Sequence, residues 1–434
     1  MATQTSTVTE APSTKIKGLT ADLNLHVNTS RLSQPVNPED YQNAVHILQD
    51  HLPAMAIVNA KFALSLGGDH APLIIDAKVQ PPTMTPHEGQ LPQDLDAHVF
   101  ILATNIKRLA DGVMDSRYAL NWGHIYMLSG PPRIGVKTGD ALTGFGATHP
   151  KLSDLNLSDL PAPTEEVSKV KSDLSKWGYG LLKNALTPHE LTTLKSRLMS
   201  QARGEREAGI SFHDGGESKP NQRIWCLPNK GQPFIDLLDH NPTIPAFVPD
   251  FLGDDAILFS YTANIARPGN TPMHMHTDQI TIQPPIRDVA VGMNLMFFLE
   301  DVTPENGGTL VMPGSHKGNL APDDPYSTVD TVAAAGPAGT CLVFESRLWH
   351  ATGANTVPGS ERPVILVFFV RPWMRQQENF SLSLKEEVLE RCSDRVKGFL
   401  GFRSSGSIGG VQTKCADGSI VRRPRGDEFV GVLG

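Results

Sequence analysis

Between Ala256 and Pro372 the chain runs as a series of short apolar segments cut by Gly, Pro and Asn. They read AILFSYTANIA, MHMHTDQ, VAVGMNLMFFLE, GTLVMPGSH, GTCLVFES and PVILVFFVRP. No long helical pattern separates one from the next, which argues against parallel strands joined by helical crossovers. Strands in direct succession pair antiparallel and bury one face against a second layer. The pattern therefore predicts a mainly-β sandwich or jelly roll.

One of these segments also carries chemistry. In TPMHMHTDQ, His274, His276 and Asp278 stand at alternate positions, which on an extended strand would project to one face. His276 and Asp278 form an H-x-D pair, and His350 in SRLWHATGANT offers a distant third donor at an expected strand end. Two imidazoles and one carboxylate on one face of an octahedron leave three positions open, the arrangement of non-heme Fe(II) oxygenases. His274 is then left as a wall of the pocket or a support for the ligands. Arg362, at the start of RPVILVFF, has a planar fork suited to a carboxylate, and Thr352 could add a hydroxyl to it. Together they suit a dicarboxylate such as 2-oxoglutarate. Taken alone, Arg362 reads rather as a surface residue paired with Glu361; taken with the triad it does not.

Other residues have plain structural readings. Trp225, Tyr261, Met275, Phe297 and Trp373 fit a substrate pocket or ordinary core packing. His213 and His240 have no partner pattern, and His316 sits in a turn. Asn306-Gly307-Gly308 reads as a turn requiring positive φ.

The rest of the chain divides by composition. Residues 1–36 are polar and expected to be disordered. A first domain spans 37–144. Within it YQNAVHILQDHLP is a helix, KFALSLG and APLIIDAKV a hairpin, AHVFILA a strand, NIKRLADGVM a short helix and HIYMLSG a strand. Residues 145–166, rich in Pro, Ser and Asp, read as a linker. The second domain, 167–434, opens with VSKVKSDLSKWGYGLL as a helix running into a strand. TPHELTTLKSRLMSQA follows as a helix with a Thr cap and Glu three residues on.

A formal net charge of −8 and the absence of a Lys/Arg stripe argue against a nucleic-acid partner. Arg422, Arg423 and Arg425 read as a solvated tail. The four cysteines, Cys226, Cys341, Cys392 and Cys415, follow no paired spacing and suit a reducing compartment. With no apolar leader and no run long enough to span a bilayer, the cytoplasm is the expected location, ahead of the peroxisome.

HTDQ (276–279), ENGGTLVMPGSHKGN (305–319), WHATGAN (349–355) and ERPVILVFFVRPW (361–373) resemble the phytanoyl-CoA dioxygenase family, whose members are Fe(II)/2-oxoglutarate-dependent oxygenases on a double-stranded β-helix. The resemblance covers about 167–380. It implies that His276, Asp278 and His350 ligate iron and that Arg362 and Thr352 bind the distal carboxylate of 2-oxoglutarate. It also implies that Gln279 and Asn264 help to hold the co-substrate. O2 would be the oxidant, with succinate and CO2 released as a C–H bond of a small, natural-product-type molecule is hydroxylated, desaturated or cyclised. Related halogenases lack the carboxylate that Asp278 supplies. The first domain is similar to a sterol carrier protein type-2 domain, an α+β fold. It would act as a tunnel for an apolar substrate, or as a scaffold or homodimer interface. Competing readings are a lipid carrier with an inert β-helix and a zinc hydrolase on the same fold; Arg362 argues against the second.

Overall fold

The computed structural model describes residues 34–143, 151–317, 322, 327–410, 420 and 421. The expectations for residues 1–33, for 145–150, for Cys415 and for the Arg422–Arg425 cluster lie outside these. Two compact units emerge. The first comprises the chain up to His149 with 280–287 and 319–327, and the second comprises the remainder.

In the first unit, helix α1 (Pro38–Asp50) begins at Asn37, whose side chain accepts a hydrogen bond from the backbone N–H of Glu39. This is the usual way to satisfy an orphan donor of a first turn. Strands β1 (Lys61–Ser65), β2 (Leu73–Asp76), β3 (Thr83–Pro86), β4 (Ala97–Ile101) and β5 (Ile125–Ser129) form a sheet in the order β3-β2-β1-β4-β5. β1 and β2 are antiparallel, as the hairpin reading requires, whereas β1 and β4 run parallel. Helices α2 (Ala103–Ala110), α3 (Ser116–Asn121) and α4 (Pro132–Thr143) complete the unit. β3 lies in a Pro-rich stretch that reads as loop. It is four residues long and mostly exposed, so no apolar alternation announces it. Inside the unit the Arg117 guanidinium forks onto the Asp140 carboxylate at 2.7 and 2.9 Å, fully buried. On residues 280–287, Gln283 Oε1 accepts a hydrogen bond from the Asp115 backbone N–H at 2.9 Å.

The second unit opens with α5 (Val167–Trp177), β6 (Tyr179–Leu182) and α6 (Pro188–Glu207). α6 has the full reciprocal capping box between Thr187 and Glu190. Residues 151–166 form two 3-10 turns, and Leu155 and Leu160 pack against the apolar cluster around Trp177, Phe298 and Phe344. Strands β7 (Phe212–Asp214), β8 (Asn221–Ile224), β9 (Ile257–Ala266), β10 (Gly292–Phe298), β13 (Cys341–Glu345) and β15 (Arg362–Val370) join β6 in one seven-stranded sheet, in the order β6-β13-β10-β15-β9-β8-β7. Every pairing in it is antiparallel. Strands β11 (Thr309–Val311), β12 (Val332–Ala334) and β14 (His350–Thr352) form a second antiparallel sheet, β12-β11-β14. Gly307 takes φ +90° in the turn before β11, as the Asn-Gly-Gly reading requires.

The large sheet has two unlike faces because side chains alternate along each strand. One face, with Ala263, Ile265, Met293, Leu295, Phe297, Ile365, Val367 and Phe369, packs on helices α6, α7 (Gln232–His240) and α8 (Thr243–Leu252). The other presents Thr262, Asn264, Asn294, Met296, Phe344 and Arg362. Tyr261 and Phe297 belong to the core, with the Tyr261 hydroxyl donating to Phe234 O at 2.9 Å.

Glu378 braces β9 from the side. Its carboxylate accepts hydrogen bonds from the backbone N–H groups of Cys226 and Tyr261, both at 2.6 Å. Burial nevertheless pushes its carboxyl up to about 7, against the pull of those bonds and of Arg223 and Lys230. Between the ordinary value of 4.5 and about 7, the folded chain therefore holds a proton that the unfolded chain has released. Over that window this group makes stability fall as pH rises. Glu378→Gln should remove that component: the urea midpoint of the variant, relative to wild type, should improve from pH 5 to pH 8. Parallel midpoints across that range would count against the assignment.

Candidate metal centre

His276, Asp278 and His350 bring one donor atom each to within 4.8 Å of one another. The segment that delivers the first two is not the regular strand expected for MHMHTDQ. Residues 273–276 run as an irregular edge beside β14, with Met273 N–H donating to Thr352 O at 3.0 Å. His276 and His350 exchange both backbone bonds, at 3.0 and 2.9 Å. The chain then leaves the edge, and Asp278 opens a 3-10 turn, Asp278–Thr281. A strand would have ended the convergence at one face; the turn instead swings the carboxylate toward His350, with Asp278 Oδ1 3.7 Å from His350 Nε2. Strand alternation thus explains only part of why the H-x-D pair converges.

Each histidine is oriented by the backbone. His276 Nδ1 lies 3.0 Å from His274 O, and His350 Nδ1 lies 3.0 Å from Leu348 O. A carbonyl oxygen can only accept, so both Nδ1 atoms carry the proton and both Nε2 lone pairs are free for a metal. Burial drives the imidazoles far below their usual range, to about 3 for His276 and about 4 for His350. They are neutral at physiological pH, as ligation demands. Asp278 Oδ2 is buried with no hydrogen-bond partner among the described residues, and burial raises the carboxyl. Two neutral imidazoles, an orphaned carboxylate oxygen and donors 3.7 Å apart fit a divalent ion with bonds of about 2.1 Å.

What His274 contributes to the tautomer of His276 is its main chain. Its ring lies beside His276, centroids 5.7 Å apart, but the atom that holds the His276 tautomer is the His274 carbonyl. His274→Ala is therefore expected to retain stoichiometric iron, measured by metal analysis after desalting, while altering substrate handling.

Arg362 starts β15 and is the largest fully buried side chain among the described residues. No carboxylate among the described residues pairs with it, its Nε has no partner, and burial followed by the nearby Arg223 lowers it to about 10. It is not the surface residue paired with Glu361 of the plainer reading; Glu361 pairs with Arg267 at 2.7 Å. Asn264 Oδ1 and Asn294 Oδ1 are buried and unpartnered as well. Natural proteins leave few such atoms, and here they lie on one face of one sheet beside the three donors. Thr352 lies two residues along β14 from His350, on the same face. Opposite it Thr309 donates from its hydroxyl toward Met296 Sδ at 3.4 Å.

Gln279 sits differently from the expectation. Its Oε1 accepts from Val291 N–H at 2.9 Å and from the Ser346 hydroxyl at 2.6 Å, and its Nε2 donates to Val289 O at 3.3 Å. These bonds tie the Asp278 turn to the start of β10. The side chain acts on the turn that carries Asp278. Met275 is buried, Trp373 is about half exposed, and His240 is exposed. His213 is held by Asn221 O and Ser211 Oγ. His316 is buried, with burial lowering it to about 4.

Two residues of the site had no sequence-level assignment. Asn294 acts on Asp278, lowering its carboxyl against the effect of burial; a lone Asn inside GMNLMFF was the available signal. Arg223 lies opposite Asn264 across β8 and β9, on strands too short and polar to stand out.

Comparison with known proteins follows the same ground. The model of the family Phytanoyl-CoA dioxygenase (PhyH) matches residues 174–364. The dioxygenase af480 of Aspergillus fumigatus is 32% identical over 258 residues, covering 58% of this chain and 80% of that protein. The dioxygenase sphC, also of Aspergillus fumigatus, is 29% identical over 326 residues, covering 69% and 83%. Among solved structures, the non-heme alpha ketoglutarate dependent carbocyclase SnoK from nogalamycin biosynthesis is similar at 17% identity. It covers 56% of this chain and 98% of that one, with a TM-score of 0.41.

Proposed function

We propose, from the premise that this chain belongs to the phytanoyl-CoA dioxygenase family, that it is an Fe(II)/2-oxoglutarate-dependent dioxygenase oxidising a C–H bond of a small natural-product-type molecule. The observation that carries this reading is the pairing of a His-Asp-His donor set with a buried guanidinium that no carboxylate among the described residues pairs with. His276, Asp278 and His350 would hold the iron. Bound there, Fe(II) supplies the O2 chemistry that couples decarboxylation of 2-oxoglutarate to oxidation of the substrate.

The chain's own groups set the geometry. Arg362 takes the distal carboxylate of 2-oxoglutarate through its planar fork, a bidentate contact worth more in a dry site than in water. Thr352 donates its hydroxyl to the same group. Asn264 and Asn294 present amides to the cavity, and Asn294 also steadies Asp278. Gln279 acts through the turn it fastens. Phe344, whose ring centroid lies 4.7 Å from that of His350, and Met296 keep water from the donors.

The intact carboxylate at Asp278 favours hydroxylation, desaturation or ring formation over halogen transfer. Residues 37–144 serve, in this reading, as a sterol-carrier-like scaffold for an oxygenase domain over 167–434. No helix among the described residues is long and apolar enough to cross a membrane. The test is oxygen-dependent release of succinate from 2-oxoglutarate on addition of Fe(II), followed by a screen for molecules that accelerate it. A wild-type chain that binds iron and 2-oxoglutarate yet releases no succinate with any candidate would overturn the assignment.

A further inference from the structure

The β7–β8 hairpin extends the site-bearing face of the large sheet by two strands. Arg223 pairs in register with Asn264 on one side and with Phe212 on the other. Residues directly opposite share a face, as do residues two apart on a strand. Phe212 and Arg223 therefore stand on the same side as Asn264 and Arg362, and Trp225, just past the end of β8, joins them through its ring contacts. The residues between them, Gln222 and Ile224, are buried against the helices on the reverse side. Trp225 meets Phe212 edge-on at 6.0 Å, the Arg223 guanidinium lies 5.7 Å from the Trp225 ring, and Phe212 is 39% exposed.

Arg223 is incompletely used by the protein. The one carboxylate paired with it among the described residues is Asp214, at 3.6 Å from Nε, too far for a hydrogen bond. Among the described residues no other carboxylate pairs with the guanidinium. The same guanidinium acts electrostatically on Arg362, Asp278 and Glu378, so it borders the metal centre. A second cation beside Arg362 is unfavourable unless an anion comes between or beside them. Asp214 stands beside Arg223 alone, Asp278 is committed to the metal and Glu378 to two backbone N–H groups, so none of these carboxylates pairs with Arg362.

We propose that Arg223 binds a carboxylate of the organic substrate, whose flat apolar body lies against Trp225 and Phe212. The preferred substrate is then an aromatic or otherwise unsaturated carboxylic acid. The inference rests on the dioxygenase reading for the word substrate, but not for the binding event. A carboxylate of the co-substrate is the alternative occupant, and the test separates the two.

The full chain is loaded with Mn(II) and 2-oxoglutarate, and 2-naphthoate is titrated against its neutral counterpart 2-naphthylmethanol by calorimetry. The titrations are repeated without metal. Wild type should prefer the acid by about tenfold or more, the range expected of one charge-assisted contact. Arg223→Gln should lose that preference, and Arg223→Lys should keep part of it. Affinity for 2-oxoglutarate should change by less than about threefold in both. Trp225→Ala should weaken acid and alcohol alike. Equal wild-type affinities for acid and alcohol would overturn the proposal, as would a preference that survives in Arg223→Gln. Collapse of 2-oxoglutarate affinity in Arg223→Gln would assign the guanidinium to the co-substrate and also overturn it. Failure of wild type to bind Mn(II) and 2-oxoglutarate would strike the dioxygenase reading alone, because the metal-free naphthoate preference remains readable.

Discussion

Replacing His276 with alanine should weaken Fe(II) binding by more than about 100-fold and abolish succinate release while leaving the fold intact. The size follows from comparison: loss of a group that merely orients a ligand costs roughly 10- to 100-fold, and loss of the ligand itself exceeds that. The fold survives because what His276 gives the sheet is its backbone, through the two bonds exchanged with His350, and alanine keeps both. The remaining donors, His350 Nε2 and Asp278 Oδ1 at 3.7 Å, cannot hold a labile ion by themselves. Metal content after desalting and succinate release measured on one preparation decide the matter. His274→Ala, two residues away, provides the matched control that retains iron. A His276→Ala protein with wild-type iron content would remove His276 from the donor set.

Arg362→Met makes a sharper case, because it should affect the free and the liganded protein in opposite ways. The buried guanidinium pairs with no carboxylate among the described residues and is desolvated to the point that its proton is held less firmly than usual. Replacing an uncompensated buried charge with an apolar side chain of similar length is neutral or stabilising. The free variant should therefore melt at or above the wild-type temperature. Its response to 2-oxoglutarate should disappear: about 3 kcal/mol of charge-assisted bonding is lost, roughly a 100-fold weaker affinity. At a co-substrate concentration 100 times the wild-type Kd, wild type gains about 2.7 kcal/mol from the ligand, and the variant gains little. Arg362→Lys, which keeps the charge and loses the fork, should fall between them. Thermal melts with and without 2-oxoglutarate in the presence of Mn(II) read all of this. An Arg362→Met protein that is strongly destabilised when free would indicate a structural cation instead.

The strands that build the large sheet were legible because their apolar runs are long and continuous. β9, β10, β13 and β15 each coincide with a segment recognisable by residue type, and α6 announced itself through Thr187 and Glu190. What escaped was short or polar. β7 and β8 have three and four residues and carry Asn, Gln, Arg and His, so no periodicity exceeds chance. α8 contains Pro249, a residue that ordinarily ends a helix reading. At the site, the identities of His276, Asp278, His350 and Arg362 could be picked out from spacing, because metal and carboxylate chemistry restricts the residue types. The conformation that unites them could not. Alternation put His274, His276 and Asp278 on one strand face, whereas Asp278 reaches the centre through a 3-10 turn. Gln279 reads as a co-substrate ligand by resemblance, and the structure adds that its amide fastens that turn to Val289, Val291 and Ser346. A hydrogen-bond partner contributed by Val291 or Ser346 is a tertiary fact that no local pattern encodes.

The turn at Asp278 also ranks the three donors by how freely evolution could exchange them. The two histidines belong to a reciprocal backbone ladder, so their positions are pinned by the sheet even when their side chains change. Asp278 stands one step beyond that ladder, and its turn is secured by the neighbouring Gln279. A small residue in its place would cost the scaffold little and would free one coordination position beside two undisturbed imidazoles. The architecture thus makes the carboxylate the adjustable element of the metal centre, the point where a lineage could alter the ion's reactivity without rebuilding the protein around it.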